Sequence, residues 1–174
     1  MKTITNYAQY MKVLVKQLAK PGSVIELPGH GSCFVCGDKN PRGMGLHWFA
    51  KSGAAPKTQE GNKESIPDVL IYSDFVFNLA QQGPPNHAHG GASSAVIDEA
   101  MGCAAWASGL EVLLAQMTLD YRRPVPLGAA VRVEAWITRI TEKKAFTAGH
   151  ILLPNGKKAV EGSGLYISRP NIFE

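Results

Sequence analysis

One stretch of the chain concentrates residue types that could do chemistry: Gly83-Pro84-Pro85-Asn86-His87-Ala88-His89-Gly90-Gly91-Ala92-Ser93-Ser94-Ala95-Val96-Ile97-Asp98-Glu99. Two glycines stand where a polar loop gives way to an apolar run. The first-turn N–H groups of a helix have no intrahelical acceptor and carry partial positive charge. With no Cβ at Gly90 or Gly91, a ligand oxygen can approach that backbone closely. Such a helix start can hold the oxyanion that acyl transfer generates. The same residues also make an ordinary turn, and locally the two readings weigh equally. Asp98 adds to the first. An acid in an apolar helix is costly to bury unless it is paired or employed, and burial lifts its pKa toward that of a general base. The plainer alternative is that Asp98 and Glu99 mark one solvated edge of the helix or pair with an arginine.

Spacing constrains how these groups could cooperate. Asp98 follows His89 by nine residues, about 12 Å along the axis from the helix start. A base and an oxyanion donor acting on one carbonyl must both lie within roughly 3 Å of the reacting atoms, or one water away. One helix cannot supply both. If both are catalytic, the acid comes from a second copy and the site lies at the interface of a symmetric dimer, two sites per dimer.

The elements that must position these residues follow from the hydrophobic pattern. Ala92 to Ser108 is apolar all round apart from Asp98 and Glu99, the pattern of a helix buried on every side. Residues 46–50 and 69–77 read as strands before it, and 111–123, 129–141, 144–153 and 158–168 as strands after it. Asn155-Gly156 is a hairpin signal. Residues 21–45 read as irregular, and 51–66 as a turn or long hairpin loop. Strands joined by short turns are antiparallel, which makes the class α+β, a sheet curled around one helix. Tyr7, Tyr10, Met11, Leu14 and Leu18 fall at helical spacing and Pro21-Gly22 ends the pattern; residues 1–22 read as an amphipathic helix appended to a domain of 23–174.

Composition narrows the classes. The 174 residues carry 18 Lys and Arg against 14 Asp and Glu, a net +4, with 45 % apolar residues. That excludes a disordered chain. The mild basicity would favour an anionic ligand, but no run of Lys or Arg exceeds two, which argues against nucleic acid. No segment has the 18 consecutive apolar residues of a membrane span, and the N-terminus lacks a signal-type apolar core, so the expected location is cytoplasmic. Three cysteines, Cys33, Cys36 and Cys103, exclude a disulfide scaffold.

His89-Gly90-Gly91 with an acid nine positions on resembles the hotdog-fold acyl-CoA thioesterases of the PaaI-like group. Cys33-Phe34-Val35-Cys36-Gly37 followed by Asn40-Pro41-Arg42-Gly43-Met44-Gly45-Leu46 is similar to a segment that precedes the first strand there, and Asp120-Tyr121-Arg122-Arg123-Pro124-Val125-Pro126-Leu127-Gly128 to its post-helix strand and turn. The likeness spans roughly residues 30–168, and three blocks in order make it fairly specific. It implies an antiparallel sheet wrapped around one long helix, a dimer or dimer of dimers, and hydrolysis of an acyl-CoA thioester without a cofactor beyond the CoA of the substrate. Asp98 would be base or nucleophile, a Gly90 or Gly91 N–H would polarise the carbonyl, and His89 would hold the loop or the substrate. There are departures. Gly83 stands where some relatives have Gln, and Leu114 where some have a Ser or Thr that assists the attacking water; the nearest hydroxyl is Thr118. Those two positions motivate the alternative, a protein that binds acyl- or aryl-CoA without hydrolysis; a structural interaction domain is a third class.

Other candidates are weaker. Asn86 and Thr118 join the substrate-binding set, as do Arg122, Arg123, Lys143 and Lys144, which could meet CoA phosphates. Asp38-Lys39-Asn40-Pro41 is similar to a hotdog hydratase motif, but Gly43 replaces its histidine. Cys33 and Cys36 with His30 and His47 have metal-ligand types at an unusual spacing, with only one Cys-x-x-Cys pair. They are read as ordinary thiols and no metal is expected.

Overall fold

The computed structural model describes residues 13–14, 16–18, 20–56 and 68–169. Seven strands form one antiparallel sheet: β1 (Val24–Glu26), β2 (Phe49–Ser52), β3 (Val69–Val76), β4 (Val112–Tyr121), β5 (Ala130–Ile140), β6 (Lys144–Leu152) and β7 (Lys158–Ser168). Their order is β1-β2-β3-β5-β6-β7-β4. A short 3₁₀ turn (Leu79–Gln81) and the helix α1 (Gly90–Ala107) lie between β3 and β4. This is the antiparallel sheet around one helix expected from the pattern, and the hotdog fold that the resemblance implies.

Two details differ from the sequence reading. β1 lies in a stretch read as irregular and pairs Ile25 with Ala50. The strands after the helix are not all neighbours in chain order: β4 pairs with β7, Tyr121 opposite Val160, while β3 takes the place beside β5. The helix carries the chain across the sheet, so β4 ends as a free edge beyond β7. Most of the N-terminal helix lies outside the described residues. Its described part shows Leu14 and Leu18 buried, with the Leu18 N–H bonded to the Leu14 carbonyl at 3.0 Å.

α1 is an alanine-rich helix that lies across one face of the sheet. Val96, Ile97, Ala100, Met101, Ala104 and Ala105 are 0–1 % exposed. Gly149 on β6 and Gly162 on β7 permit the close approach: a Cβ at Gly162 would lie 3.0 Å from Ile97 Cγ2, and one at Gly149 3.3 Å from Met101 Cγ. Beyond Ser108, Gly109 takes φ +85° and ends the helix. Within one chain α1 is not covered on every side. Ser94, Ala95, Asp98, Glu99, Gly102 and Trp106 form a half-exposed stripe. Among the described residues no helix is long and apolar enough to cross a membrane.

Candidate active site

The helix starts two residues earlier than its apolar run, so Gly90 and Gly91 sit in its first turn. His89 is the N-cap, and its Nδ1 accepts a hydrogen bond from the Gly91 N–H at 2.8 Å. An imidazole that accepts at Nδ1 while neutral carries its proton on Nε2. The Gly90 N–H has no acceptor among the described residues. Gly90 is therefore the open donor, and Gly91 is already used. The Gly90 carbonyl is held by Tyr121 Oη at 3.1 Å and by Ser94 Oγ at 2.9 Å, and those two hydroxyls lie 2.6 Å apart.

The loop before the helix is laced to the turn after β4. The Ala88 N–H donates to the Val125 carbonyl and the Leu127 N–H to the Asn86 carbonyl, both at 2.9 Å. Asn86 adopts φ +62°, so it shapes the turn. Gly83 is fixed by packing, because a Cβ there would lie 2.7 Å from His89 Cα. A cavity of about 320 Å³ opens at the helix start, lined in part by His87, Gly90, Tyr121, Arg122 and Arg123.

A second, larger cavity of about 710 Å³ lies along the open stripe of α1, lined in part by His30, Cys33, Asp98, Trp106, Leu114 and Tyr166. Asp98 Oδ1 accepts a hydrogen bond from Tyr166 Oη at 2.8 Å. Burial lifts the Asp98 carboxyl above its ordinary pKa, against the Tyr166 hydrogen bond, which lowers it. Burial, then the Asp98 charge, pushes the Tyr166 phenol up as well. Gly90 and Asp98 share one unbroken helix, so the eight residue steps from one to the other hold the donor and the acid about 12 Å apart.

Comparison with known proteins places this arrangement. Residues 85–160 match the family model described as thioesterase superfamily. The matched stretch runs from the loop before α1 into β7. Acyl-coenzyme A thioesterase THEM4 of Xenopus laevis is 36 % identical over 70 residues, 40 % of this chain and 32 % of that protein. The chain thus spans about a third of the length of the curated relatives it matches. A solved thioesterase superfamily protein superimposes with a TM-score of 0.65 at 20 % identity, over 97 % of this chain and 81 % of the other. A Streptococcus mutans protein solved with acetyl CoA gives 0.56 at 11 % identity, over 57 % and 81 %.

Within the hotdog fold the other candidates separate. Arg122 and Arg123 reach the helix-start cavity. Arg122 is shared between Asp120 and Glu161, each at 3.2 Å, and Arg123 donates to the Lys158 carbonyl at 2.7 Å. Lys143 and Lys144 are not brought there. Lys144 pairs with Ile167, at the opposite end of β7 from Val160 and Tyr121. Thr118 lies on the free edge strand opposite Ser163, exposed and outside both cavities, whereas Leu114 does line the Asp98 cavity.

Sequence reasoning missed Tyr121, Ser94 and Tyr166, which nothing local marks. It also missed the role of Glu99. This acid is neither a solvated edge nor the partner of an arginine. It meets Cys36 Sγ at 2.8 Å, His30 Nδ1 at 3.4 Å and Cys33 Sγ at 3.8 Å. Burial pushes its carboxyl up, but hydrogen bonds from His30 and Cys36 outweigh that and hold it below the ordinary range. Burial and the Glu99 charge raise the Cys36 thiol. His47 is elsewhere, exposed and 2.8 Å from Glu26.

Proposed function

We propose that the chain hydrolyses acyl-CoA thioesters as a symmetric dimer, with each site shared between two copies. The observation that carries this is the separation along α1. An open N–H at Gly90 and a buried, pKa-raised acid at Asp98 are the two groups the reaction needs, and one rigid helix holds them too far apart to act on one carbonyl. A second copy of the same helix, antiparallel against the half-exposed stripe, brings one copy's Asp98 to the other's Gly90. The free edge of β4 suits the same two-fold pairing, which would extend the sheet across the dimer.

In that site the Gly90 N–H hydrogen-bonds the thioester oxygen, and the helix dipole favours the charge that develops there. Asp98 takes a proton from water. The hydroxide forms a bond to the carbonyl carbon, the C–S bond breaks, and the CoA sulfur leaves with the proton. Asp98 attacking directly, with water then opening the anhydride, uses the same contacts. His89, whose Nδ1 accepts from the Gly91 N–H, holds the loop or the substrate. Arg122 and Arg123, beside the helix start, suit the CoA phosphates, whereas Lys143 and Lys144 take no part in this site. A cytoplasmic location fits three free thiols, since such thiols persist in reducing compartments. Leu114 on the cavity wall offers no hydroxyl to a water, which favours CoA-ester binding without turnover as the second reading.

Loss of thioester absorbance on a panel of short, long and aromatic acyl-CoAs tests turnover. Mixing tests the shared site. Asp98→Asn and Gly90→Pro homodimers are each inactive, but half of a randomly mixed population is heterodimer with one intact site, so activity returns to about a quarter of wild type. No recovery on mixing, with heterodimers verified, refutes the shared site. Binding without turnover on any ester leaves the second reading.

A further inference from the structure

The cluster facing Glu99 lies outside the proposed reaction. We propose that His30 Nδ1, Cys33 Sγ, Cys36 Sγ and Glu99 Oε1 bind one zinc ion as a closed structural centre that fixes the loop before β2 against α1. This holds whether or not the chain hydrolyses thioesters.

The four ligand atoms all lie within 4.8 Å of one another. Around a tetrahedral zinc, ordinary bond lengths set ligand separations of roughly 3.4 Å for N to O, 3.6 Å for S to N or O, and 3.8 Å for S to S. His30 Nδ1 is 3.4 Å from Glu99 Oε1 and 3.3 Å from Cys36 Sγ, and Cys33 Sγ is 3.8 Å from Oε1. Of these four separations the Cys36–Glu99 pair, at 2.8 Å, departs most and has to open by about 0.8 Å.

The loop is built to present these atoms. The Val35 N–H points at Cys33 Sγ at 3.3 Å and the His30 N–H at Cys36 Sγ at 3.4 Å, backbone donors that stabilise thiolate charge. The Gly37 N–H donates to the Cys33 carbonyl and the Lys39 N–H to the Gly31 carbonyl. A Cβ at Gly37 would fall 2.5 Å from Cys33 N and O, and one at Gly29 2.5 Å from the Cys36 carbonyl, so the turn closes only with glycines.

Two thiolates, an imidazole and a carboxylate select zinc over magnesium or calcium. Four protein ligands complete the tetrahedron and leave no open position for water, which makes the site structural. On binding, two S–H bonds break and two protons pass to solvent as two Zn–S bonds form. Glu99 adjoins Asp98, and His30 and Cys33 line the Asp98 cavity, so the ion would fix one wall of that cavity.

The test uses the full chain without a metal-binding tag. As purified it contains about one zinc per chain. After chelation under reducing conditions, one equivalent of Co²⁺ gives thiolate-to-cobalt charge transfer and the intense visible bands of tetrahedral cobalt, and added zinc abolishes both. Glu99→Ala and Cys33→Ser weaken binding by more than the 10–100-fold that outer-shell changes cost. Glu99→His retains the tetrahedral spectrum, and His47→Ala leaves it unchanged. Should the cysteine variant not fold, the cobalt titration of the wild-type chain decides. Absence of stoichiometric metal with no tetrahedral cobalt spectrum, or a Cys33–Cys36 disulfide in freshly purified protein, overturns the proposal.

Discussion

Replacing Gly90 with proline separates the hydrogen-bond donor from everything else that residue does. Gly90 is the first helical residue, and its N–H has no acceptor among the described residues. Proline is accepted at that position because the missing N–H is unpaired in any helix and the ring pre-sets the required φ. The residue before a proline must be extended, and His89 already is, at φ −66° and ψ 136°. A Cβ at position 90 meets nothing nearer than Tyr121 Cε1 at 3.5 Å, ordinary van der Waals contact. Folding stability should therefore change by less than about 1 kcal/mol, and a small gain from a stiffer unfolded chain is expected.

The catalytic effect is of a different size. Removing one oxyanion donor costs about 10²–10³ in kcat, or roughly 2.7–4 kcal/mol. Steady-state hydrolysis of the best ester in the panel, with thermal unfolding and sedimentation on the same samples, reads both quantities. Gly90→Ala is the control, since it keeps the N–H and adds only a methyl group. A Gly90→Pro chain that folds, assembles and turns over like wild type refutes the oxyanion role. So does an alanine variant as damaged as the proline one, because the defect would then be steric.

Two further substitutions test the supporting shell. Tyr166→Phe removes the hydroxyl that holds Asp98 Oδ1; a hydrogen bond to a charged group is worth about 1.5–3 kcal/mol, so kcat falls by about tenfold or more, and an unchanged kcat means Tyr166 does not position the acid. Glu134 is held below the ordinary carboxylate range by His150 first, against burial, and by Arg132. Such a depressed carboxylate adds stability above its unfolded pKa and loses it as pH falls through the folded value. Wild type should unfold about 2–4 °C above Glu134→Gln at neutral pH, with the gap closing in acid below the ordinary glutamate range; a gap constant down to pH 3 would count against the linkage.

The three sequence blocks that carried the family resemblance are physically one assembly. The loop before α1 and the turn after β4 exchange backbone hydrogen bonds at Ala88–Val125 and Leu127–Asn86, and the Cys33–Cys36 turn closes on Glu99. The long helix, most strand positions and the Asn155-Gly156 hairpin were legible because periodicity and turn chemistry are local. β1 was not, since three residues show no pattern and their pairing is decided by β2. The place of β4 at the free edge was not, because strand order depends on where the helix lands. Glu99 was misread for the same reason: its partners lie 63 to 69 residues earlier in sequence, and an acid next to another acid looks like a solvated edge until a distant turn folds onto it.

Asp98 and Glu99 are adjacent in sequence yet held in opposite states, and the helix explains why. Successive residues on a helix point about 100° apart, so one acid faces the sheet and the other the loop before β2. Asp98 meets a single hydroxyl in a largely apolar cavity, and burial prevails over it. Glu99 is buried more deeply but meets His30, Cys36 and Cys33, and those contacts prevail over burial. The number of donors, more than depth, sets the sign of each shift. An acid with its charge so fully satisfied is poorly suited to taking a proton from water, which makes Glu99 a holder of structure. Asp98, with one partner and an open cavity before it, is left to do the chemistry, and its distance from Gly90 leaves the missing half of the site to a second copy of the chain.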